Sequence, residues 1–148
     1  MRVEKDFKEL LKLFNKNRVN FVIVGAYALA FHGRPRYTGD MDILVEPSED
    51  NAKKILSALK KFGFGSLNLK ASAFLVPRKV VQLGVPPVRI DLVTSLTGIS
   101  WEVAYKNRVH GKYGNVKVAF IGKKEFLKNK KATSRLKDLA DMEALGEE

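Results

Sequence analysis

Two aspartates, Asp40 and Asp42, open the run Asp40-Met41-Asp42-Ile43-Leu44-Val45. In a strand, residues i and i+2 face the same side. The two carboxylates therefore project together, roughly 6 to 7 Å apart along the chain. Met41, Ile43 and Val45 face the other way, toward a core. Paired carboxylates beside apolar neighbours repel each other and lose hydration. A divalent cation relieves both costs; a solvated strand end is the simpler alternative. Fifteen residues before Asp40 stands Gly25, directly after the apolar run Phe21-Val22-Ile23-Val24. That run fits a strand buried on both faces. Gly25-Ala26-Tyr27-Ala28-Leu29-Ala30-Phe31-His32 then favours helix, ended by Gly33 and Pro35. A helix that starts at a glycine turn offers free backbone N–H groups and a partial positive charge, which suits phosphate. Taken alone, the same residues also fit a plain strand-to-helix turn.

The string VGAYALAFHGRPRYTGDMDILV, with Gly25-Ala26 followed by Asp40-Met41-Asp42, resembles the nucleotidyltransferase superfamily that includes DNA polymerase beta. It is similar in particular to small bacterial and archaeal members such as the AbiEii-type toxins. The family pattern is an apolar residue, Gly, then Gly or Ser, a spacer, and Asp-x-Asp or Asp-x-Glu. Ala26 departs from it, losing a serine hydroxyl but keeping the backbone N–H.

The resemblance implies an α/β (α+β) nucleotidyltransferase fold, a mixed sheet of about five strands with helices packed on it. It implies Mg²⁺ or Mn²⁺ on Asp40 and Asp42, and a nucleoside triphosphate, ATP first, with its phosphates on Gly25 and Ala26. Asp91, an acid inside the strand Val88–Val93, fits the third carboxylate that completes the metal site; an Asp91–Arg89 ion pair is the alternative. Arg36 and Thr38, in the loop before the acids, fit a phosphate or acceptor contact. Lys131 with Asp138, or Lys137 in place of Lys131, fits the charged closing element of AbiEii-like proteins. A solvated polar helix face is the alternative for each of these last residues. The implied reaction moves an NMP from the NTP to an acceptor hydroxyl and releases pyrophosphate. RNA such as tRNA, a protein or a small molecule remain open as acceptor, and a second copy or an antitoxin as partner.

At 148 residues the chain is read as one minimal domain, 1–148. It has no cysteine and two distant histidines, His32 and His110, which excludes disulfides and thiolate zinc sites and leaves oxygen ligands for any metal. No apolar run approaches membrane-spanning length, and the charged start MRVEKDFKELLKLF is no signal peptide; a cytoplasmic protein is expected. There is no G-x-x-x-x-G-K-[ST] loop, and Gly63 and Gly65 form only a lone G-x-G. The net charge of +11 is concentrated: Val103–Lys137 holds eleven Lys or Arg against Glu125 alone. That bias suits a polyanion such as a triphosphate, RNA or DNA; a lysine-rich solvated surface is the bland reading. A non-catalytic nucleic-acid-binding module with a degenerate pocket at Ala26 is the competing class of function.

The remaining elements follow from periodicity. Val3–Asn17 is an amphipathic helix with Phe7, Leu10, Leu11 and Phe14 on one stripe. Ser48 caps a helix carrying Ala52, Ile55, Leu56 and Leu59, which Gly63 stops. Phe74–Val76 and Val80–Leu83 read as short strands around Pro77-Arg78. Ser100–Arg108 contains a short helix whose Trp101 and Tyr105 suit core contact or base stacking. Asn115–Ile121 is a strand, Lys123–Lys131 a basic helix or turn, and Ser134–Leu145 a terminal helix. His32 is read as a packing or capping residue.

Overall fold

The computed structural model describes residues 3–33, 39–64, 68–85, 88–133 and 143. The apolar run Phe21–Val24 forms β1, buried along its whole length. Around it, in chain order, come α1 (Lys5–Lys16), α2 (Gly25–Phe31), β2 (Asp40–Val45), α3 (Glu49–Leu59), β3 (Val80–Val85), β4 (Val88–Val93), α4 (Trp101–Lys106), β5 (Val109–Tyr113), β6 (Val116–Phe120) and α5 (Lys123–Thr133). Among the described residues the strands make one six-stranded mixed sheet ordered β3-β4-β2-β1-β6-β5. The β1–β6 and β2–β4 pairs are parallel and the others antiparallel.

Two registers fix the faces of the sheet. Ile23 lies opposite Ile43 and Phe120, while Val24 lies opposite Asp42 and Asp42 opposite Asp91. Side chains alternate along each strand. One face therefore carries Phe21, Ile23, Met41, Ile43, Ile90, Leu92, Val118 and Phe120, and the other Asp40, Asp42, Arg89, Asp91, Lys117 and Ala119. The helical stripe Phe7, Leu10, Leu11 and Phe14 is fully buried on the first face. There Phe14 meets Phe21 at 5.4 Å between ring centroids, and Phe31 of α2 stacks on Phe120 at 4.1 Å. This face is the main core, and α3 packs beside α1.

Ser48 caps α3 as expected, accepting from Asn51 N at 3.2 Å. Asn51 itself is buried. It accepts from Asn20 N at 2.7 Å and donates to the carbonyls of Asn20 and Glu46 at 3.0 Å each. It thereby ties the start of β1 to the end of β2. Gly63 adopts φ +102 and breaks the helical turn Lys60–Phe64 that follows α3, so the expected helix stop lies there.

Two expectations are corrected. Phe74–Val76 is not a strand. Ala71–Phe74 is a 3-10 turn, and Leu75 and Val76 are 40% and 53% exposed. Phe74 is buried from that turn, so the segment meets the core without joining the sheet. Conversely, β5 was not foreseen. It pairs with β6 through a two-residue Gly114-Asn115 turn with Gly114 at φ +62, a connection that fits a tight hairpin. The sheet thus has one strand more than expected. The terminal helix expected over 134–145 lies outside the described residues, Glu143 apart.

Candidate active site

The site is built where β1 ends. Gly25 leaves β1 with φ +68, a left-handed conformation that costs glycine nothing. A Cβ added there would also collide with Asp42 Oδ2. Gly25 is thus fixed twice, by its backbone and by the carboxylate lying against it. The helix that follows has Val24 at its N-cap, which offers no side-chain cap to the first-turn N–H groups of α2.

Asp40 and Asp42 share a face of β2, and parallel pairing sets Asp91 of β4 directly beside Asp42. The three aspartates predicted from sequence are therefore brought to one end of the sheet, on one face. Asp42 feels this most. Its pKa is pushed up from 3.8 to about 6, first by burial and then by the charges of Asp91 and Asp40, with Lys130 and Arg89 pulling the other way.

Arg89 is the counter-charge of the cluster. Its Nε donates to Asp91 Oδ1 at 3.1 Å and its Nη2 to Asp91 Oδ2 at 2.8 Å. The same Nη2 lies 3.3 Å from Asp40 Oδ2. Once its amide is turned to match the donors around it, Gln82 of β3 accepts from Arg89 Nη1 and Nε at 3.2 Å each. The guanidinium is thus held from three sides. The ion-pair alternative for Asp91 and its placement beside Asp42 are both realised.

The donor set suits a hard divalent cation: carboxylate oxygens, one of them with a pKa raised by burial and then by its acidic neighbours. As the side chains stand, no group of three or more His, Asp or Glu among the described residues is gathered tightly enough to hold a metal. Arg89, bridging Asp40 and Asp91, occupies that role. A cation would join Asp42, whose charge burial and the neighbouring acids disfavour most.

Sequence reasoning passed over Arg89 except as a partner of Asp91, and passed over Lys130 entirely. Lys130 is the α5 lysine whose charge reaches Asp42; Lys131 is exposed on the same helix. A signal was present, since Lys130 follows the buried Phe126 by four residues and so lies on its side of the helix. Arg36, Thr38, Lys137 and Asp138 lie outside the described residues. His32 contacts the Ile121 carbonyl at 2.7 Å and stands edge-on to Phe31, a packing role as expected. Trp101 and Tyr105 stack on each other at 4.9 Å.

No protein-family model matches the sequence. No curated protein matches it either. Solved structures do. The antibiotic-resistance factor ANT(2'')-Ia superposes with a TM-score of 0.62 at 8% identity, over 95% of this chain and 80% of that one. TM1012 from Thermotoga maritima, a proposed nucleotidyltransferase, gives 0.57 at 13% identity over 95% and 88%. The lincosamide antibiotic adenylyltransferase LnuA, solved with lincomycin bound, gives 0.57 at 14% identity over 97% and 96%. The fold of this chain is the nucleotidyltransferase fold.

Proposed function

We propose that this chain is a metal-dependent nucleotidyltransferase, working as a single minimal domain in the cytoplasm. One observation carries the reading: Asp42 stands in register with Asp91, on the face it shares with Asp40, and packs against the glycine that turns β1 into α2. The nucleotidyltransferase fold supports it. No helix among the described residues is long and apolar enough to cross a membrane.

The first-turn N–H groups at Gly25 and Ala26 receive the β- and γ-phosphates of the triphosphate, ATP first. Asp40, Asp42 and Asp91 would hold Mg²⁺ or Mn²⁺, which supplies charge neutralisation at the phosphates and lowers the pKa of the attacking hydroxyl. Asp91, oriented by Arg89, takes the proton of that hydroxyl. The acceptor oxygen forms a bond to the α-phosphorus. The bond from that phosphorus to the bridging oxygen breaks, and pyrophosphate leaves. Lys130 adds positive charge beside Asp42. Lys131 or Lys137, with Asp138, Arg36 and Thr38, is proposed to complete the phosphate grip. The protein's share is positioning and electrostatics.

The test is incubation of the protein with each labelled NTP, Mg²⁺ or Mn²⁺, and cell extract. Label should pass to an acceptor with the wild type and not with Asp42→Asn; equal labelling by both proteins overturns the assignment. The toxin role suggested by the AbiEii resemblance would rest on the same chemistry. It requires that expression of the wild type, and not of Asp42→Asn, arrest growth.

A further inference from the structure

A concavity lies away from the carboxylates. A groove of about 610 Å³ is walled by the start of β1, the end of α4 and the β5–β6 hairpin, a size that accommodates a nucleotide-sized body. Val19, Phe21 and Ala119 give it apolar lining, and Arg108, Lys112 and Lys117 give it charge beside His110, with no acid among the described residues of its walls.

These cations are arranged at a cost that the fold does not repay. Lys112 and Lys117 are directly opposite each other across the antiparallel pair, where like charges destabilise. Both are exposed. Neither they nor Arg108 has a carboxylate partner among the described residues. The Arg108 guanidinium lies 3.8 Å over the Tyr105 ring. Its Nη1 donates to the Tyr105 carbonyl at 2.6 Å. That charge is therefore fixed in place before any ligand arrives, with its other N–H groups free to donate.

We infer that this groove binds the phosphodiester backbone of a nucleic-acid strand. A row of unpaired cations bordering an apolar floor matches a polymer with regularly spaced phosphates and flat apolar bases. A lone triphosphate does not need a row, and a membrane surface does not fit a concavity. Strand alternation sets His110, Lys112 and Lys117 on the same face of the sheet as Asp40, Asp42 and Asp91. The groove lies toward the β6–β5 edge and at the start of β1, whereas the carboxylates lie at the end of β1. The binding site stands on its own geometry. Only if the transferase reading also holds does it select a nucleic acid as the acceptor.

The test uses the full chain carrying Asp42→Asn, so that its result is separate from catalysis. Fluorescence anisotropy is read with labelled RNA and DNA oligonucleotides at several salt concentrations, with unlabelled ATP, pyrophosphate and anionic phospholipid vesicles as competitors. Binding of at least one oligonucleotide is expected to steepen as salt falls. The further substitutions Lys112→Gln and Lys117→Gln should weaken it about tenfold or more and reduce the salt slope by about 2, with an unchanged or raised Tm. Whichever of RNA or DNA binds more tightly names the strand. No oligonucleotide binding at low salt, an unchanged affinity and slope in the Lys variant, or displacement by ATP or pyrophosphate as strong as by unlabelled oligonucleotide each overturns the proposal. Vesicles bound in place of oligonucleotide would assign the groove to a membrane surface instead.

Discussion

Asp42 is the residue at which the proposed function opposes stability most directly, and replacing it with Asn makes that opposition measurable. Its pKa in the folded protein is about 6 against an ordinary 3.8, because burial and then Asp91 and Asp40 disfavour the charge. The folded state thus binds this proton more tightly than the unfolded chain does. The sign follows: the residue costs nothing below about pH 4, costs progressively more as pH rises toward 6, and costs a constant amount above that. The gap corresponds to about 3 kcal/mol. Metal-free Asp42→Asn should therefore exceed the wild type by up to about 3 kcal/mol at pH 7.5, or about 6 to 12 °C in Tm for a chain of this size. Urea unfolding in EDTA, repeated from about pH 4 to 8, reads the difference between the two proteins and cancels the titration of every other group. The advantage should open between about pH 4 and 6 and then stay flat. Saturating Mn²⁺ should reverse much of it, since a cation at 100 times its Kd adds about 2.7 kcal/mol to the protein that binds it. An Asn variant no more stable than the wild type at pH 7.5, or an advantage independent of pH, would refute the reasoning.

Other consequences are open to direct measurement. Arg89→Met strips Asp91 of a two-point ion pair at 2.8 and 3.1 Å. It should lower metal-free stability by about 1.5 to 3 kcal/mol, with added Mn²⁺ restoring more in the variant than it adds to the wild type, as calorimetry would show. Gly25→Ala meets both the φ of +68 and the Asp42 carboxylate. A loss of about 1 to 2 kcal/mol from backbone strain alone, together with loss of transfer, is expected in melts and labelling assays. Asn51→Leu removes the side-chain partner of Asn20 N and of the Asn20 and Glu46 carbonyls, which flank β1 and β2; the two carbonyls keep other donors, Glu46 N and Ser48 N. It should cost at least about 2 kcal/mol in urea unfolding, with no change in the Asp42-dependent pH profile.

Much of the site is written locally. The phase of Asp40 and Asp42 against Met41 and Ile43 is a property of any strand, and the glycine between β1 and α2 marks its own turn. Ser48 announces a cap, and the stripe Phe7, Leu10, Leu11 and Phe14 announces the buried face of α1. Each depends on residues within one or two turns of each other, so one-dimensional spacing is enough. The Gly114-Asn115 turn was equally local, and β5 was legible from it. At Phe74–Val76 the opposite happened: apolar residues with strand character end a 3-10 turn, with Phe74 buried and Leu75 and Val76 exposed.

Which strand neighbours which is not a local property. The sequence alone places an acid in Val88–Val93, but only parallel pairing of β4 with β2 sets Asp91 beside Asp42. Only the sheet order brings the Lys112–Lys117 pair alongside Phe21 and Arg108 to make a groove. Lys130 reaches Asp42 because α5 closes over the same end of the sheet, 88 residues along the chain from its target. The chain therefore determined by itself which groups face which side of β1, β2 and β4 and where α1 and α3 are punctuated. Tertiary structure decided which charges meet, because Coulomb and desolvation energies depend on distances through space that spacing along a chain does not contain.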